Sequence, residues 1–166
     1  MDSQTLVYQL GLCHHIVELN TRDISHEESL IAPPQGGSCL NQVLGHLTRT
    51  RNLALRGMGQ KPPYPMEEFD LYDDRTGVPF AREKAVPFGE LRRRYQSLQE
   101  PLVKGIGGMS AEALAAPPPR KMTGAPDETV GSQLATFVFH ESYHVGQTGI
   151  LRRMAGKPGV VKPPSS

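Results

Sequence analysis

Clusters of proline and glycine cut this 166-residue chain into four segments, each repeating its apolar side chains every three or four positions. No convincing strand pair lies between them. The first segment runs from about Ser3 to Asn20, with Leu6, Leu10, Cys13 and Val17 on one stripe. Pro33, Pro34, Gly36 and Gly37 close the connection after it. The second starts near Ser38, which has the chemistry of an N-cap, and ends near Arg56 before Gly57 and Gly59. Its stripe is Cys39, Val43, His46, Thr50 and Leu53. The third opens at Pro87 and carries Leu91, Tyr95, Leu98 and Leu102 before Gly105, Gly107 and Gly108. The fourth begins near Asp127 or Thr129 and stops near Ala155, ahead of Gly156-Lys157-Pro158-Gly159. Ser110 to Leu114 reads as one short turn of helix.

Four amphipathic helices pack most simply as a four-helix bundle, so the expected fold is all-α, a single domain over residues 1–166. The connection from Gly57 to Val86, about 30 residues, far exceeds an ordinary helix–helix loop. It must cross the bundle or cover one end, anchored by Tyr64, Phe69, Tyr72 and Phe80. A packed crossover is favoured over a moving lid.

Charge excludes one class of partner. The 18 basic and 17 acidic residues leave a net charge of +1, which argues against a nucleic-acid footprint. The densest basic run, Arg92-Arg93-Arg94, lies beside Glu90 and reads as a solvated face. Cys13 and Cys39 make no disulfide framework. No apolar stretch approaches the roughly 20 residues of a membrane span, and the N-terminus lacks a signal-peptide pattern. A cytoplasmic protein with reduced cysteines is expected.

The fourth segment contains His140-Glu141-Ser142-Tyr143-His144. Two histidines four apart on a helix share a face, so both imidazoles can point at one metal ion. The string also matches the helix motif H-E-x-x-H of zinc proteases. Those enzymes take a third ligand downstream, yet the chain has no histidine after His144 and no acidic residue after Glu141. The third ligand must come from upstream, and protease is disfavoured. The stripe Val130, Leu134, Phe137, His140, His144, Gln147 and Leu151 turns both histidines inward, and His46 lies on the inward stripe of the second segment. Three imidazoles in one apolar core are hard to explain as packing, because each buried polar nitrogen needs a partner. His46, His140 and His144 are therefore the candidate metal ligands. His15 falls on an outer face and His26 among polar loop residues. His14 flanks the inward stripe, where it could line the site or be a satisfied boundary histidine.

His140-Glu-Ser-Tyr-His144-Val-Gly146-Gln147, followed by Ile150-Leu151-Arg152, resembles the last-helix signature H-x-x-x-H-x-G-Q of the DinB-like (damage-inducible) superfamily. Asn41-Gln-Val-Leu-Gly-His46-Leu resembles that family's segment bearing the first ligand. The resemblance extends from Leu6 to Gly156 and implies a four-helix bundle holding a divalent metal, most often Zn or Ni, on His46, His140 and His144. It also implies a homodimer, and an activity of the kind shown by thiol-dependent transferases or metal-dependent hydrolases. Val145 stands where many relatives carry arginine, which puts an anionic thiol co-substrate in doubt.

The neighbours have readings of their own. Gly146 allows close packing. Gln147 shares the face of His144 and could bond a metal-held water or a ligand histidine, or be satisfied by backbone. Glu141 sits about 100° from His140, at the edge of the site. There it would orient a histidine or pair with a surface arginine rather than act as a base. Tyr143 and Cys39 read as packing.

Three histidines leave a coordination position open, the arrangement of a catalytic rather than a structural zinc site. The expectation is a metal-dependent enzyme that activates a low-molecular-weight thiol or water on a small substrate. The alternative is a metal-binding stress-response bundle without turnover. No serine or cysteine offers itself as a nucleophile.

Overall fold

The computed structural model describes residues 2–77, 79–122 and 124–161. Residues 162–166, the end of the tail that offers no downstream ligand in sequence, lie outside them. The described chain is all helical: α1 (Ser3–Thr21), α2 (His26–Ser29), α3 (Leu40–Gly57), α4 (Phe88–Ser97), α5 (Gln99–Gly107), α6 (Ala111–Ala115) and α7 (Val130–Met154). Among the described residues there is no strand. Four rods form the bundle: α1, α3, the α4–α5 pair and α7.

The ends follow capping chemistry. Asp2 caps α1 by accepting from the Thr5 amide, and Thr129 and Ser132 form a reciprocal capping box at α7. At α3 the N-cap is Cys39 rather than Ser38, and its side chain makes no capping bond. His26, a loop residue by sequence, opens the short α2 behind a Ser25–Glu28 capping box. The third rod is broken at Leu98. Pro101 has no N–H to give to the Ser97 carbonyl, so the ladder lapses there, and the stripe Leu91, Tyr95, Leu98, Leu102 continues across the break fully buried.

The 57–86 connection packs as a crossover. It carries short 3-10 turns at Met66–Tyr72, Asp74–Thr76 and Arg82–Lys84, and it buries Phe69 and Tyr72 against α3 and α4. The Tyr72 ring lies over Gly45, where a Cβ would overlap it. Its hydroxyl donates to Asn41 Oδ1 at 3.0 Å and accepts from the Val86 amide at 2.9 Å, which ties the middle and the C-terminal end of the crossover to α3.

The core has two apolar halves. One gathers Val17, Leu40, Leu44, Leu47, Phe69 and Leu91; the other gathers Leu6, Leu10, Leu55, Leu98, Leu102 and Phe137. On α3 the buried face is Leu40, Val43/Leu44, Leu47, Arg51 and Leu55; Cys39 and Val43 of the expected stripe are buried with it, whereas Leu53 is 37% exposed and His46 and Thr50 sit at the boundary. No helix of the described residues is long and apolar enough to cross a membrane.

Candidate metal centre

His46 on α3 and His140 and His144 on α7 meet at the edge of the core, where all three are half-buried. His46 Nε2 lies 2.9 Å from His140 Nε2, and His144 Nε2 lies 3.1 Å from the same atom. One ligand atom from each residue falls within 4.8 Å of the others. The i, i+4 spacing on α7 brings His140 and His144 together, and the α3–α7 packing brings His46 across the interface.

The outer nitrogens fix two of the three rings. His46 Nδ1 faces the Tyr72 carbonyl at 3.4 Å, and a carbonyl only accepts, so this nitrogen carries the proton. The Asp74 carboxylate lies 3.9 Å from the same nitrogen. His144 Nδ1 is 2.6 Å from Gln147 Oε1, which assigns the proton there as well. Both Nε2 atoms then present bare lone pairs toward His140 Nε2, which can donate one proton at most. Three converging nitrogens thus share too few protons to satisfy one another. A cation accepts all three lone pairs together, so the donor set fits a divalent metal. Imidazole nitrogens about 2.0–2.1 Å from a tetrahedral Zn lie about 3.3 Å apart, so a slight spreading of the rings accommodates one. The electrostatics agree. Burial, and then the charges of the other two histidines, hold His140 down at about 4, and burial also lowers His144. Both are in the neutral form a metal requires.

The remaining candidates divide between this centre and the bundle interior. Gln147 belongs to the centre through His144, and Tyr143 sets its ring edge-on to His144 while remaining exposed. Glu141 lies inside the bundle rather than at the site's edge. It is 0% exposed and pairs with a buried arginine, Arg51, also 0% exposed. The Glu141 Oε2 atom accepts from Arg51 Nε at 3.0 Å and from Nη2 at 2.7 Å. His14 joins that cluster, accepting from Arg51 Nη1 at 3.2 Å and stacking on Tyr95. His15 is exposed. Cys13 and Cys39 are free and buried, and burial pushes both thiols up, which suits packing rather than nucleophilic roles. Sequence reasoning misses Arg51. Its signal is a charged residue on an apolar stripe, four positions from Leu47 and from Leu55 and seven from Leu44, with an opposite charge on another helix.

The model of the DinB superfamily matches residues 14–148, from α1 through most of α7 and across all three histidines. The chain belongs to the DinB superfamily. No curated protein matches it. The DinB superfamily is metal-binding, and the histidine cluster here could hold a metal. At the position where many DinB relatives carry arginine, Val145 packs against the apolar core.

Proposed function

We propose that this DinB-superfamily bundle is a metal-dependent enzyme whose His46, His140 and His144 hold one divalent cation, Zn or Ni, for the activation of a small thiol or water. The convergence of three imidazole nitrogens from two helices carries this reading. A cation with an open coordination position supplies Lewis acidity, lowering the pKa of a thiol or water beside it toward neutrality. The protein's part is to bind and orient. The Nε2 atoms of the three histidines are the ligands. The Tyr72 carbonyl and Gln147 hold the Nδ1 protons of His46 and His144 and so keep those Nε2 lone pairs aimed inward. Asp74 and Tyr143, both exposed, stand at the rim as the polar groups a small substrate meets. The half-buried Val145 offers no charge for an anionic co-substrate, which favours water or a neutral thiol.

The same reading takes the chain as one domain and a cytoplasmic homodimer without nucleic-acid partners. Exposed apolar side chains of α1 (Tyr8, Leu12) and α7 (Phe139, Ile150) support a second copy as the partner.

Titrating Co(II)-loaded protein with small thiols and with pH tests the activation step. A sulfur-to-cobalt charge-transfer band, or an ionisation near pH 7 that shifts the visible bands, is expected. Neither change would leave a metal-holding bundle without turnover.

A further inference from the structure

The Arg51 guanidinium lies at the centre of the bundle and touches every rod. It donates to Glu141 of α7 through Nε and Nη2, and to Gln99 of α5 at 2.9 Å and His14 of α1 at 3.2 Å through Nη1. It stacks 3.9 Å from the Tyr95 ring centroid of α4, and the Tyr95 hydroxyl donates to Glu141 Oε2 at 3.3 Å. In sequence this polar layer falls between the two apolar halves on three rods: His14 between Leu10 and Val17, Arg51 between Leu47 and Leu55, and Glu141 between Val138 and Leu151.

Burying two charges is costly, and a well-packed apolar pair of similar volume is often as stable. The layer is not even complete, because Glu141 Oε1 is buried with no hydrogen-bond partner among the described residues. Stability alone therefore does not account for it. Its placement does. Arg51 follows His46 on α3 by five residues, and Glu141 is the next residue after His140 on α7. His46 and His144 are oriented through their Nδ1 atoms, but His140 Nδ1 is buried with no partner among the described residues. What sets the His140 ring is thus the rotation and register of α7 itself, and the residue beside it is locked by two directional bonds to α3.

We infer that the Arg51–Glu141 pair is a positioning device for the metal centre, fixing α7 against α3 so that His140 Nε2 meets those of His46 and His144. An ion pair of fixed geometry specifies one register, whereas apolar side chains would tolerate several. This inference rests on the three-histidine reading of the site.

The test compares Zn affinity, by competition with a chromophoric chelator, and the visible spectrum of the Co(II) form in the full chain and its variants. The apolar double variant R51M/E141L is expected to fold with a thermal midpoint near the parent's. It should bind Zn roughly 10- to 100-fold more weakly, with altered Co(II) bands. The milder E141Q, which keeps the side-chain shape, should move both readouts in the same direction and serves if the double variant does not fold. Leu102→Ala, in the far apolar half, should lower stability and leave affinity and spectrum unchanged. Parental affinity and spectrum in a folded Arg51 or Glu141 variant would overturn the positioning role. A parent that binds no metal would instead overturn the three-histidine reading, and would do so before any variant is made.

Discussion

At the scale of single residues, the centre depends on where protons sit. Gln147 accepts from His144 Nδ1 and leaves its Nε2 bare, so Gln147→Ala should weaken Zn binding by about tenfold without a comparable loss of stability. Isothermal titration beside a thermal melt separates the two effects. Protonation also governs the metal-free protein. His14 and His140 are both held down to about 4, by burial first, and then by Arg51 for His14 and by the other two histidines for His140. Against an unfolded value near 6.5, the unfolded chain binds more protons between these limits. The metal-free protein should therefore hold its full stability above about pH 6.5 and lose it as the pH falls toward 4. His14→Gln should flatten that loss in melts at neutral and acidic pH; an unchanged slope would mean His14 does not contribute. The three candidate ligands are legible in the sequence because packing alone accounts poorly for an i, i+4 histidine pair on α7 together with an upstream histidine on an apolar stripe. The Arg51–Glu141 pair is not, because a single arginine or glutamate reads as surface until its partner on another rod is known.

At the scale of elements, periodicity finds every rod, and local chemistry moves the details. The α3 stripe drifts off the buried face in its later turns because Leu53 fits a helical repeat as well as Leu55 does, and only packing distinguishes the two. The break at Pro101 is masked because the apolar repeat runs straight through it, although proline's missing N–H is enough to signal it. The crossover's role cannot be read from its aromatics alone: Tyr72 serves the centre through its backbone carbonyl, and nothing in its side chain signals that. Its seat depends on Gly45. Gly45→Ala would place a Cβ within the Tyr72 ring, so the crossover must lift from α3. A loss of about 1–3 kcal/mol in denaturant melts is expected, together with weaker metal binding as the Tyr72 carbonyl leaves His46. Full stability in this variant would mean that the ring has another place to go.

At the scale of the whole molecule, the candidate centre spans two rods far apart in sequence, so a bound cation would cross-brace the bundle. Arg152 makes a related tie at one end of α7, donating to the carbonyls of Asn20, Arg22 and Pro158. A ligand that binds only the folded chain stabilises it by about 4 kcal/mol at a thousandfold excess over its Kd. For a chain of this size that corresponds to a rise of roughly 8–16 °C in thermal midpoint, which His46→Ala should abolish. The measurement that bears most directly on the three-histidine centre is metal content by elemental mass spectrometry on untagged protein, beside His46→Ala and His144→Ala. One shared site predicts near one equivalent in the parent and little in either variant, since each removes a ligand from a different helix. A parent that stays metal-free after incubation with Zn and Ni, or variants that keep the parental equivalent, would contradict it.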